Sequence, residues 1–302
     1  MTMNKWQKET QRRLDRLESQ HEKELVGHYQ IALKELRGKI SKLYEDTNGS
    51  WVEAQKYNRL TKLEKEIAQE IGKLTGKNAQ TLKKGMMDAY EESYYSTAYV
   101  LSNEVKSDLG FSMLDRKLVE KAIENPLDRV GFLQRNRDNQ QRLTRQLREQ
   151  LTQGLIQGEA YGTVAKRIKG RMDVGASNAM TIARTENHRT RQRGKLESMR
   201  EGADRGITLK KEWIATIDDK TRDRHGDLDG VQVDVDKPFK IDGMEAEAPS
   251  LFGNSRMDIN CRCSMIEVVE NFKPNTRRVK GIGITEYKTF NQFKKEGLIP
   301  AE

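Results

Sequence analysis

Trp213-Ile214-Ala215-Thr216-Ile217-Asp218-Asp219-Lys220-Thr221-Arg222-Asp223-Arg224-His225-Gly226-Asp227-Leu228-Asp229-Gly230 is the stretch on which the reading of this chain turns. Its first residues alternate apolar and β-branched side chains, as a strand does, and a dense polar loop follows. An aspartate and a threonine just after a strand bond to loop amides, which orders a tight connection without any catalysis. As a calcium loop the stretch fails. Aligning Gly230 with the glycine such a loop requires puts His225 where the first carboxylate ligand belongs. On either side, Ile207–Ile217, Gly230–Val235 and Cys263–Val269 read as strands.

The chain in front of this block reads differently. Residues before Pro126 contain no proline and seven of the 23 glycines, which suits uninterrupted helix. Leu14, Leu17, Leu25, His28, Leu36, Ile40 and Leu43 form one stripe at helical spacing, and Asn48-Gly49 ends it. Leu60, Leu63, Ile67, Ile71 and Leu74 form a second stripe, and Leu82, Met86, Tyr90, Tyr94, Thr97, Leu101 and Val105 a third. Asp115–Glu124 and Arg137–Gln157 read as weaker helices, and Ala176–Arg200 as a longer one with Ser177 as its cap. The fold class is therefore α+β and predominantly helical: long N-terminal helices followed by a small α+β C-terminal domain. The expected division is 1–130 as a helical, partner-binding region, 131–270 as the α+β domain with Arg-rich helices, and 271–302 as a tail that orders on a partner.

Composition narrows the function. Of 302 residues, 33% are charged and 35% hydrophobic, more polar than an ordinary enzyme domain. No apolar run approaches the ~18 residues needed to span a bilayer, and the first residues carry charge where a signal peptide would be apolar, so neither secretion by a cleaved signal nor membrane anchoring is expected. Cys261 and Cys263 are the whole thiol supply, and a bridge between residues two apart is strained, so a reducing compartment is the simple reading. The net charge of +9 is concentrated: residues 135–211 hold 18 basic and 8 acidic side chains. Arg135, Arg137, Arg142, Arg145, Arg148, Arg167, Arg171, Arg189, Arg191 and Arg193 make a polyanion such as DNA, or an acidic protein partner, the expected ligand of that segment, because guanidinium forks match phosphate and carboxylate. From Glu212 to Glu247 the sign reverses, with 11 acidic and 5 basic residues, which neutralises part of the surplus.

Three chemistries need weighing. His225, Cys261 and Cys263, with Asp258 beside them, are the best metal-ligand set, but a structural zinc takes four ligands and a C-x-C pair often reflects packing alone. Asp218, Asp219 and His225 would suit a hydrolytic dyad or a magnesium-dependent nuclease, yet no P-loop, G-x-S-x-G or H-E-x-x-H accompanies them. Arg184 with Glu245-Ala-Glu247 resembles elements of ADP-ribosyltransferases, without their central Ser-Thr-Ser strand. No catalytic residue and no cofactor are expected.

Three blocks in order carry a more specific resemblance: Ala183-Arg184-Thr185-Glu186 on a helix; Trp213 through Asp218, Thr221, Arg222 and His225 to Gly230; and Ile259-Asn260-Cys261-Arg262-Cys263. From about Arg137 to Val269 the chain resembles the phage Mu F-like head morphogenesis family, the minor head proteins of tailed bacteriophages. The resemblance implies a low-copy protein of the virion interior, assembled in the host cytoplasm. It implies association with the portal protein, with scaffold or major capsid protein as further partners, and with double-stranded DNA during packaging or ejection. Arg184, Glu186, Trp213, Asp218, Thr221, Arg222, His225, Gly230 and Asn260 are then motif residues that report the fold. Arg184 and Glu186 point in different directions, so one is expected buried and the other at a loop amide or solvent. Many family members place a cysteine pair after the Trp/Asp block and a histidine before C-R-C. Here Arg222 takes the first cysteine's position, His225 the second, and Asp258 lies near the histidine's. Less than stoichiometric zinc is the resulting expectation, with Arg222 and Arg224 holding the loop by salt bridges instead.

Overall fold

Without proline to interrupt them, the polar N-terminal stretches run as long helices. The computed structural model describes residues 5–124, 130–269, 276–279 and 282–299. Helix α1 spans Lys5–Thr47 and stops where Asn48 and Gly49 turn to positive φ, 47° and 69°. A short α2, Trp51–Gln55, capped by Ser50, leads into α3, Arg59–Glu104, which carries the second and third stripes on one continuous helix. Then come α4 Arg116–Glu124, α5 Phe132–Ile156 and α6 Tyr161–Asp204. Ser177 lies inside α6 and is not its cap; the helix begins at Tyr161, because nothing between Gly158 and Ala176 breaks it. No described helix is long and apolar enough to cross a membrane.

The chain groups into two compact units, each assembled from separated stretches. One comprises residues 19–84 and 124–183, and its described elements are all helices. Its core is aliphatic, with Leu36, Ile40, Ile67, Ile71, Leu147, Leu151 and Ile168 nearly or fully buried. These are the stripe residues of α1 and α3 facing those of α5 and α6. The grouping is interleaved along the sequence, whereas composition suggested consecutive segments, because α1, α3 and α6 each supply residues to both units.

The other unit comprises residues 1–18, 85–123 and 184–302. Strand β1 (Leu209–Ile214) is the centre of an antiparallel sheet of order β2-β1-β5, with β2 at Gln232–Asp234 and β5 at Ser264–Val269. Trp213 stands opposite Met265 in the register, and both are fully buried. Helix α7 (Asp223–Asp227) lies between β1 and β2. Two hairpins had no signature in the sequence pattern, because their strands are three or four residues long: β3–β4 (Phe239–Ile241, Met244–Ala246) and β6–β7 (Thr276–Val279, Gly283–Glu286). Helices α8 (Ser255–Asp258) and α9 (Phe290–Lys295) complete the set, the latter with a Thr289/Gln292 capping box.

The described part of 271–302 is not a separate tail. Val279, Phe290 and Phe293 share one buried cluster with Trp213, Phe239, Cys261 and Cys263. Gly226 exists for this packing: a Cβ there would lie 2.2 Å from the Phe290 ring. Three apolar side chains suffice to anchor the segment while Ile282, Ile284 and Leu298 stay exposed, which is why low apolar content suggested a tail.

In the same unit, Glu104, Lys195 and Glu267 form a charged group, Lys195 Nζ lying 3.8 Å from Glu267. Burial, aided by the charge of Glu267, pushes the Glu104 carboxyl up to about 7. A carboxyl raised above its unfolded value binds more protons in the folded chain between about 4.5 and about 7. Stability therefore falls as pH rises through that window and levels off above it. Because Glu104 is partly solvated, the expected change is about 1–2 kcal/mol. Denaturation midpoints of Glu104→Gln measured from pH 4.5 to 7.5 should show most of this dependence removed.

Candidate functional site

The motif residues converge on the polar loop between β1 and β2. Asp229, fully buried in its side chain, accepts from the Ala215 amide at 2.7 Å, and Gly230, at φ 82°, returns its own amide to the Trp213 carbonyl at 2.8 Å. Asp218 caps the turn beneath it. Its oxygens accept from the Lys220 amide, the Thr221 hydroxyl and both ends of the Arg262 guanidinium, the Nη2 contact being 2.7 Å. The Thr221 hydroxyl also lies 2.6 Å from the Thr216 carbonyl, so its one proton is shared between the two acceptors. Arg222 does hold the loop, but by donating to the Ile259 carbonyl at 2.7 Å and not by a salt bridge; Arg224 pairs with Asp242 at 2.7 Å, as expected. With both Asp218 oxygens committed to the loop, a nuclease centre on Asp218, Asp219 and His225 loses its principal carboxylate.

Helix α6 presents the first motif block to this unit. Glu186 is fully buried and Arg184 exposed, the division expected from their spacing. Thr185 accepts from the Asn260 amide at 3.3 Å, which supports Asn260 in its left-handed conformation, φ 56°. Glu245 and Glu247, the pair that resembles a transferase element, are engaged by Lys240 at 2.7 Å and Arg200 at 2.9 Å.

His225, Cys261 and Cys263 come together as a buried cluster whose ligand atoms all lie within 4.8 Å of one another. His225 Nδ1 is 3.3 Å from Cys263 Sγ and 3.7 Å from Cys261 Sγ. Its ring is held edge-on by Trp213, centroids 5.7 Å apart, and stacked on Phe252 at 6.2 Å. A hydrogen bond with Cys263, opposed by burial and assisted by His188 and His225, pulls the Cys261 thiol well down, while burial beside Cys261 pushes Cys263 up. Asp258 does not join them. Its two oxygens accept the Phe252 and Asn254 amides at 3.0 and 3.1 Å, so it closes the turn ahead of α8.

The arginine segment divides by exposure. Arg137, Arg142, Arg145 and Arg171 are exposed; Arg135, Arg148, Arg167 and Arg193 are half-buried, with Arg167 held 2.9 Å from Glu159. Two expected DNA contacts need correction. Arg189 is 2% exposed and donates to the Ser250 carbonyl at 3.2 Å, and the side chain of Arg191 is 11% exposed and 3.6 Å from Glu18. Neither guanidinium can reach a phosphate from there. They point to different sides of α6, each covered by a different neighbour, a distinction invisible in a run of charge. Sequence reasoning also passed over His188, Arg262 and Arg277. No local spacing marks any of the three, because each acts on a partner distant in sequence.

Comparison with known proteins agrees with the motif order. The family model described as Phage Mu protein F like protein matches residues 145–266. The chain is 30% identical over 299 residues to the minor head protein GP7 of Bacillus phage SPP1, covering 96% of this chain and 97% of that one. It is 29% identical over 300 residues to a protein of Enterococcus faecalis named NAD(+)–arginine ADP-ribosyltransferase EFV, covering 96% of this chain and 60% of that one. No solved structure matches.

Proposed function

The chain belongs to the Phage Mu protein F like family and is a bacteriophage minor head protein, and from this premise we propose that it associates with the portal inside the procapsid, binds double-stranded DNA and assists head assembly, genome packaging or ejection. The observation that carries the reading is the match to a minor head protein over nearly the whole of both chains, helices and mixed unit alike. The four exposed arginines of the helical unit supply the DNA contact. No catalytic role is assigned. Asp218 and the Glu245/Glu247 pair serve the loop and its neighbours, and 40% of the transferase-named relative lies outside the match, leaving ample chain to carry its activity.

Co-expression of the full chain with the portal protein of the same phage should give a complex that survives size exclusion. Asp219→Asn, an exposed change beside the loop, should leave both complex and infectivity intact. Absence of any complex would remove the portal from the reading. Lost infectivity of Asp219→Asn, with complex and capsid incorporation normal, would put an enzyme in its place.

A further inference from the structure

We propose that the open cavity between α3 and α5, within the helical unit, seats the sugar–phosphate backbone of one strand of a DNA duplex. This rests on the DNA-binding reading above and gives it a defined seat. The cavity has a volume of about 500 Å³; α3 supplies Ala68, and the other lining residues all come from α5. On α5 they form two rows at four-residue spacing. Gln140, Thr144, Arg148 and Thr152 make the inner, half-buried row, and Gln141, Arg145 and Glu149 the outer, exposed one. The inner row runs about 18 Å along the helix, enough to meet more than one phosphate of a strand.

A half-buried row beside a packed helical core ordinarily carries aliphatic side chains, because partly buried polar groups need partners. Here the row is polar and its hydrogen-bonding capacity is unspent. Among the described residues, the side chains of Gln140, Thr144 and Thr152 make no hydrogen bond with the protein. Other helical threonines of this chain return the hydroxyl to their own helix: Thr47 to the Leu43 carbonyl at 2.6 Å, Thr75 to that of Ile71 at 2.8 Å, and Thr181 to that of Ser177 at 3.1 Å. Arg148 is held by one long contact, Nη2 to the Glu64 carbonyl at 3.4 Å, and its shielded Nε has no partner among the described residues.

These walls fit an anion that is rich in acceptor oxygens and has apolar faces. Arg145 and Arg148 favour negative charge, the amides and hydroxyls supply donors, and the methyls of Ala68 and the threonines supply apolar contact. A nucleic-acid backbone alternates the two: its phosphate oxygens accept from Arg, Thr and Gln side chains, and its deoxyribose faces meet methyl groups. Arg137 and Arg142, exposed on the same helix, extend the positive surface beyond the cavity. Glu149 is the one carboxylate among the lining residues; it lies in the outer row, 3.8 Å from Arg145.

The test is the fluorescence anisotropy of a labelled duplex of mixed sequence, titrated with the full chain over a range of salt. Thr144→Val combined with Thr152→Val removes two hydroxyls at nearly constant shape and constant charge. Affinity should fall about tenfold, while the slope of log affinity against log salt stays that of the unaltered chain, because a hydroxyl displaces no counterion. Ala68→Trp, which fills the cavity without altering charge, should also weaken binding, with the helical circular dichroism unchanged. If both variants bind as the unaltered chain does, the cavity is not the seat and the DNA reading stands without it. If the unaltered chain itself fails to bind the duplex, the DNA reading falls and takes the occupant of the cavity with it.

Discussion

Arg277→Ala should destabilise the sheet-containing unit by about 3–5 kcal/mol, the cost of breaking a buried ion pair from one side. Arg277 Nη1 lies 2.6 Å from Asp229 and donates to the Lys288 carbonyl at 2.8 Å; Nη2 donates to the Ala215 carbonyl at 2.8 Å. The side chains are 6% and 0% exposed, so water cannot replace the lost guanidinium. Asp229 would keep the Ala215 and Phe290 amides, but its charge would be unopposed and two carbonyls would lose their donor. Adding Asp229→Asn should recover part of the loss, because a neutral amide needs no countercharge. Chemical denaturation followed by Trp213 fluorescence, with Trp6 and Trp51 changed to Phe, reads the unit directly. A loss below about 1 kcal/mol would mean that residues 276–299 are not anchored in this core.

That pair also shows where sequence reading stops. The long helices were legible because one stripe at helical spacing needs no knowledge of its partner, and Asn48-Gly49 marked a boundary that the backbone honours with two positive φ values. Three strands of the main sheet were legible for the same reason: their alternation is local. Arg277, by contrast, sits in a basic run that looks solvated, and only the closure of Asp229 onto it, 48 residues away, turns it into a core residue. Arg189 fails as a DNA contact for a related reason: a long helix presents several faces, and charge counting assigns all of them to solvent. The buried cluster was mostly legible: His225, Cys261 and Cys263 were named from their types and come together, whereas Asp258, drawn in by proximity in sequence, closes a turn instead.

Replacing Arg137, Arg142, Arg145 and Arg171 with Ala should weaken non-specific duplex binding more than tenfold at physiological salt, and should reduce the slope of log affinity against log salt by about four. Each phosphate contact releases close to one counterion, so four lost contacts remove about that much of the slope. These four are the expected DNA-binding arginines that lie exposed, all in the helical unit, three of them on α5. A general loss of positive charge would mimic part of the effect, so the control must remove the same charge elsewhere. Lys220, Arg224, Lys237 and Lys240 are exposed and lie within the acidic stretch 212–247; their replacement with Ala lowers the net charge equally. If the interaction is local, as contacts within a screening length of about 8 Å require, the control set leaves the slope nearly unchanged. Equal losses from both sets would mean that net charge and not this helical surface attracts DNA. An unchanged slope in the first set would place the DNA contact outside these four arginines and leave the portal as the partner that carries the proposed assembly role.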